Sequence, residues 1–126
     1  LSMSDSVEYK KKYEHNEAFV AYVQASSDFP DWEIIGTFYA ALHFMNLYLS
    51  KRYNVDISEI SSHVKRNDYI TEKCNSNIAR VYKTLYDLSR EARYQFTDIS
   101  KKTEFVKKKY SELKSSCQKD MAAMLS

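Results

Sequence analysis

Glycine and proline are nearly absent from this chain, with one of each in 126 residues. Sheets joined by tight turns draw on glycine, asparagine–glycine pairs and proline to reverse direction. So sparse a supply argues against them, and the chain reads as all-α. Cysteine is sparse too: Cys74 and Cys117 are too few for a disulfide framework, and no CxxC pair is present to hold zinc. Nor is there an excess of one charge. The net charge of +2 gives no composition-level case for a nucleic-acid or membrane protein. The long apolar run 34–49 has 16 residues and contains His43 and Asn46, short of the roughly 20 needed to cross a bilayer. The first thirty residues carry charges throughout, unlike a signal peptide. A cytoplasmic protein with reduced thiols is therefore expected. Metal-ligand spacings, a Glu-x-x-His pair, a nucleophile elbow and a glycine-rich phosphate loop are all missing, so no metal and no cofactor is expected.

What is present is helical patterning. Leu1 and Ser2 precede Met3 and are left outside the reading; residues 3–126 are expected to form one domain. A first helix is expected over about 5–25, capped by Ser4 or Asp5, with Tyr9, Tyr13, Val20 and Val23 close to one face. Lys10, Lys11 and Lys12 read as a solvated stripe. Pro30 or Asp31 opens a second helix to about residue 53, since proline suits a first helical turn. Residues 54–61 read as irregular. Ser62 caps a short third helix over 63–73. A fourth over 75–96 carries the stripe Ile78, Val81, Leu85, Leu88 and Ala92. Ser100 caps a fifth, with Val106, Tyr110, Leu113, Cys117, Met121 and Met124 on one face. The expected architecture is an up-and-down bundle of four long helices and one short one. The second helix is apolar on all sides, so it belongs at the centre, with surface to spare for an oligomer contact.

Inside that helix run Phe38-Tyr39-Ala40-Ala41-Leu42-His43 and then Asn46-Leu47-Tyr48-Leu49. These residues resemble the central helix of HEPN domains (higher eukaryote and prokaryote nucleotide-binding). Ser62-His63 resembles the opening of the short helix that follows in prokaryotic members, and 85–94 is similar to their leucine-rich segment ending in Ala-Arg-Tyr. The resemblance covers about residues 32–120. It implies an all-α, commonly dimeric bundle. In catalytic members it implies a metal-independent endoribonuclease of toxin or phage-defence type, whose frequent partner is a small nucleotidyltransferase-like protein in toxin–antitoxin operons. The implied chemistry is attack of a ribose 2′-hydroxyl on the adjacent phosphate. A histidine moves the proton and an arginine holds the phosphate charge.

His43 matches the motif histidine, but the arginine position, six intervening residues earlier, holds Gly36. Losing one charged transition-state contact typically lowers the rate on the order of a hundredfold or more. The expectation is therefore a module, catalytically weak or inactive, that binds RNA or a nucleotide. One alternative is an active endoribonuclease in which Arg66, Arg90 or Arg93 replaces the lost charge. Another is a structural subunit of a toxin–antitoxin-like complex. Gly36 itself reads either as the close approach of a neighbouring helix, within the chain or from a second copy, or as a gap for a ligand. Asn46 lies near His43 on one face and either orients its imidazole, contacts a ligand or makes a buried hydrogen bond. His63 and Arg66 share the start of the third helix and could bind phosphate there. Arg90, Arg93 and Tyr94 suit phosphates and a stacked base; the competing reading pairs the arginines with Glu91, Asp87 or Asp98.

Overall fold

The computed structural model describes residues 3–26, 28–94 and 98–125, the first three by backbone alone. Among the described residues five α-helices make an all-α bundle: α1 (Met3–Ser26), α2 (Pro30–Tyr53), α3 (His63–Lys73), α4 (Ser76–Tyr94) and α5 (Thr103–Leu125). No strand occurs among the described residues. Among the described residues no helix is long and apolar enough to cross a membrane.

The helix boundaries follow local chemistry. α1 begins at Met3, so Ser4 and Asp5 lie within the helix and not at its cap. Its far end closes through Ser26, whose Oγ donates to the Val23 carbonyl and accepts from the Asp28 amide. Pro30 sits in the first turn of α2 with Asp31 and Glu33, matching the positive end of the helix dipole. Asn54 ends it at φ 55°, in the left-handed region, and returns its amide to the Ser50 carbonyl. Ser62 Oγ accepts from the Lys65 amide at 3.1 Å and caps α3 as its sequence indicates.

Besides the start of α1, three boundaries depart from the sequence reading. Residues 54–61 are not wholly irregular, because Ile57–Ile60 forms a 3-10 turn. Ile57 and Ile60 are both buried; three residues make one 3-10 turn, which drops both onto the core. α4 starts one residue late because Asn75 is its cap, accepting from the Ile78 amide. Its expected last residue, Phe96, lies outside the described residues. Ser100 does not cap α5. Asp98 accepts from the Ser100 amide, and Ser100–Lys102 forms a 3-10 turn ahead of the helix.

α2 occupies the centre and packs against α1, α4 and α5. Its side chains from Glu33 to Phe38 are buried, as are most of those to Ser50; only Trp32 and Lys51 are exposed. The spare surface expected for an oligomer contact is thus largely consumed within one chain. α4 contributes Ile78, Val81, Tyr82 and Leu85, and α5 contributes Val106, Tyr110, Leu113 and Cys117. Leu88, Ala92 and Met121 are only partly buried against this core. Met124 is exposed. Two carboxylates fasten α5 to its neighbours. Glu17 of α1 accepts from Tyr110 Oη and Lys114 Nζ. Asp120 accepts from Tyr48 Oη and Arg52 Nε of α2. Both cysteines are free and buried, and burial raises both thiol pKa values, that of Cys74 to about 11.

Candidate anion-binding site on α3 and α4

Gly36 lies where α1 crosses α2. A Cβ built there would come within 2.9 Å of Phe19 Cδ2 and 2.9 Å of Val20 Cγ2. The glycine is therefore explained by close helix approach, and the approaching helix is α1 of the same chain. The gap for a ligand is filled by Phe19 and Val20. An arginine at this position would have to push α1 aside.

His43, two turns further along α2, is half-buried, and its Nδ1 has no hydrogen-bond partner among the described residues. Burial lowers its pKa, and the charges of Lys12 and Arg66 lower it further. From an ordinary value of 6.5, the imidazole is neutral at pH 7. Asn46 does not orient it. Instead, Asn46 Oδ1 accepts from Arg66 Nε at 3.1 Å, while Arg66 Nη2 donates to the Ser61 carbonyl at 3.2 Å. Asn46 and Arg66 are each 5% exposed. This is the buried hydrogen bond that fixes α3 against α2. The Tyr82 hydroxyl lies beside the same guanidinium, and burial raises its pKa while Arg66 opposes the rise.

His63, at the start of α3, parts company with Arg66. It packs against Phe38 and Tyr86, with ring centroids 5.9 and 5.5 Å away. Together with Tyr86, Arg90, Arg93 and Tyr94 it lines a cavity of about 170 Å³. Four residues that the sequence marks for ligand binding thus meet in one place. His43 is not among the residues lining that cavity.

The electrostatics of the cavity are one-sided. The expected pairing of Arg90 and Arg93 with Glu91, Asp87 or Asp98 does not form. Glu91 binds Lys102 at 2.9 Å, Asp87 binds Lys83 at 2.8 Å, and Asp98 serves the Ser100 amide. The carboxylates went to lysines because Lys83 is one helical turn before Asp87 on the exposed face, and Lys102 reaches Glu91 from the turn ahead of α5. Arg66, Arg90 and Arg93 have no carboxylate partner among the described residues. Residues 95–97, just beyond, are Gln, Phe and Thr, so they bring no acid. Aromatic faces take the place of counterions. Arg93 stands over Tyr39 at 5.0 Å and Arg90 over Tyr86 at 5.9 Å, contacts that support a cation without neutralising it. Burial, followed by Arg66, Arg93 and Arg90, lowers the pKa of His63. It is a neutral imidazole in a cationic surround.

Such a cavity presents guanidinium forks and an imidazole to a ligand and offers no negative charge in return. Phosphate and carboxylate groups fit that description. Among the described residues no group of His, Cys, Asp and Glu is placed to hold a metal ion. Tyr39 and Tyr86 lie beneath the two arginines; the sequence offers Tyr39 only as a polar contact near α2 and does not offer Tyr86 at all. Their signal was available for Tyr86 alone, which falls on one helical face with Arg90 and Arg93 at four- and three-residue steps. Comparison with known proteins adds no relative: no family model, no curated protein and no solved structure matches the chain.

Proposed function

We propose that the chain is a HEPN-like helical module that binds RNA or a nucleotide through phosphate at the cavity of His63, Arg90 and Arg93, and does not cleave it efficiently. One observation carries this reading: two arginines without carboxylate partners converge with a neutral histidine on one cavity. Tyr94 is 68% exposed at its rim and offers a face for a stacked base.

Two features favour binding over catalysis. The motif-arginine position is packed under α1 at Gly36. Arg66, whose charge bears on His43, is engaged by Asn46 and Ser61 and almost wholly buried. Neither supplies an open guanidinium beside His43. The endoribonuclease reading rests on His43 itself, a half-buried imidazole that is neutral, as a proton acceptor needs to be. A protein partner also belongs to the proposal, either a second copy or a nucleotidyltransferase-like protein of toxin–antitoxin type. The exposed side chains Tyr22, Phe29 and Trp32 around the α1–α2 connection favour it. The setting is cytoplasmic.

The test is binding and cleavage of a labelled structured RNA in EDTA, with His43→Ala and Arg90→Ala/Arg93→Ala beside the wild type. Saturable binding without turnover, weakened by the double arginine variant, is expected. Cleavage that disappears in His43→Ala would replace this reading with the endoribonuclease. No binding at low salt would remove the RNA-binding reading.

A further inference from the structure

We infer that the cavity of His63, Arg90 and Arg93 selects a terminal phosphate, a phosphomonoester dianion, over the internal phosphodiesters of a nucleic acid. The inference rests on the anion-binding reading above and narrows it.

Size comes first. At about 170 Å³ the cavity is smaller than the roughly 300 Å³ at which pockets begin to hold drug-sized ligands. It admits one compact group and leaves a base outside, against Tyr94. Charge comes second. Arg90 and Arg93 bring two positive charges that no described carboxylate offsets. An internal phosphodiester carries one negative charge, whereas a terminal phosphate carries about −1.5 to −2 at pH 7. Only the terminal group matches both guanidiniums. Donors come third. Arg90 and Arg93 carry guanidinium N–H groups that no described carboxylate takes, and the His63 imidazole lines the same cavity. A terminal phosphate has three free oxygens to accept from Arg93, Arg90 and His63 together, where a diester has two. His63 also opens α3, whose first turn favours an anion.

The bearer of this group is a 5′-phosphorylated RNA end, a free mononucleotide or inorganic phosphate, and the arms of one experiment separate them. A 3′-labelled RNA octamer is titrated with the protein as its 5′-phosphate and as its 5′-hydroxyl, read by fluorescence anisotropy at pH 7. The 5′-phosphate form is expected to bind about tenfold tighter, as one or two charge-assisted contacts would give. AMP and inorganic phosphate are then added as competitors. Stronger competition by AMP assigns the site to a nucleotide end, and equal competition assigns it to the phosphate alone; both support the inference.

Arg93→Ala and Arg90→Ala should each erase most of the preference. Arg93→Lys, which keeps the charge and loses the fork, should erase part of it. Arg80→Ala, an exposed arginine bonded to Asn77, should keep it. Thermal melts identify any variant that fails to fold, and the lysine variant then carries the test. Equal binding of the two octamers, both weakened by Arg90→Ala and Arg93→Ala, would overturn the inference and leave the proposed function standing. Failure of both octamers to bind at low salt would remove the two together. A preference that survives both alanine variants would place terminal-phosphate recognition elsewhere and overturn the inference.

Discussion

Replacing Asn46 with leucine, a side chain of similar size, isolates the buried hydrogen bond between α2 and α3. The change removes the acceptor at 3.1 Å from Arg66 Nε and leaves a guanidinium that is 5% exposed with the Ser61 carbonyl and the neighbouring Tyr82 hydroxyl. A hydrogen bond to a charged group contributes about 1.5–3 kcal/mol, and stranding a buried charge raises the loss. With Ser61 still in place, about 2–3 kcal/mol is expected, which for a domain of this size lowers Tm by roughly 10 °C. Arg66→Met alone strands the Asn46 amide and the Ser61 carbonyl and is expected to lose about 1–3 kcal/mol. The double variant Asn46→Leu/Arg66→Met replaces both partners with apolar groups and should recover more than about 1 kcal/mol relative to the sum of the single losses. Urea unfolding at pH 7, with unchanged m-values, measures all three. Strictly additive losses, or an Asn46→Leu loss below about 0.5 kcal/mol, would refute the assignment of Asn46 and Arg66 to structure.

Gly36→Ala sets a helix-propensity gain of about 1 kcal/mol against an overpacking loss of about 1–3 kcal/mol at the 2.9 Å contacts with Phe19 and Val20. Net destabilisation of about 1 kcal/mol in urea is expected; stabilisation would mean that α1 yields readily. Stability should also fall as the solution is acidified. The folded-state pKa values of His43 and His63 lie below their ordinary 6.5, so the unfolded chain takes up those protons first. Their contribution is complete above about pH 6.5 and is lost as pH falls through the lower folded values. Urea midpoints from pH 7.5 to 5.5 should therefore decline less steeply in His43→Gln than in the wild type, and parallel slopes would refute the burial of His43 as a neutral group.

The sequence discloses most of the helices because their signals are local. Pro30 and Ser62 announce the starts of α2 and α3 through groups that act within one turn. The stripes of α4 and α5 follow from periodicity alone. The turn at Ile57–Ile60 was hidden because two isoleucines sit among polar neighbours, and three-residue spacing over four residues is too brief to register as a pattern. Ser100 misled because Asp98, two residues earlier, accepts from the Ser100 amide and draws Ser100 into a 3-10 turn ahead of the helix. At the site, the sequence supplies His63, Arg90, Arg93 and Tyr94 but not their meeting, which depends on how α3 lies on α4. Nor could it foresee that Glu91 and Asp87 would be claimed by Lys102 and Lys83. That outcome leaves the arginines available, and it turns on which lysine reaches first. The bond from Asn46 to Arg66 spans 20 residues and two helices, beyond any local rule.

The two carboxylate fasteners of α5 join residues far apart in the chain, with separations of 68 and 72 residues for Asp120 and 93 and 97 for Glu17. That imposes an order of assembly. The α1–α2 hairpin can form from neighbouring contacts, but the remaining flanks of an apolar α2 are covered by α4 and α5, which lie further along the chain. Glu17 and Asp120 therefore clasp the last helix to the first two, so that α1, α2 and α5 hold together through groups at opposite ends of the chain.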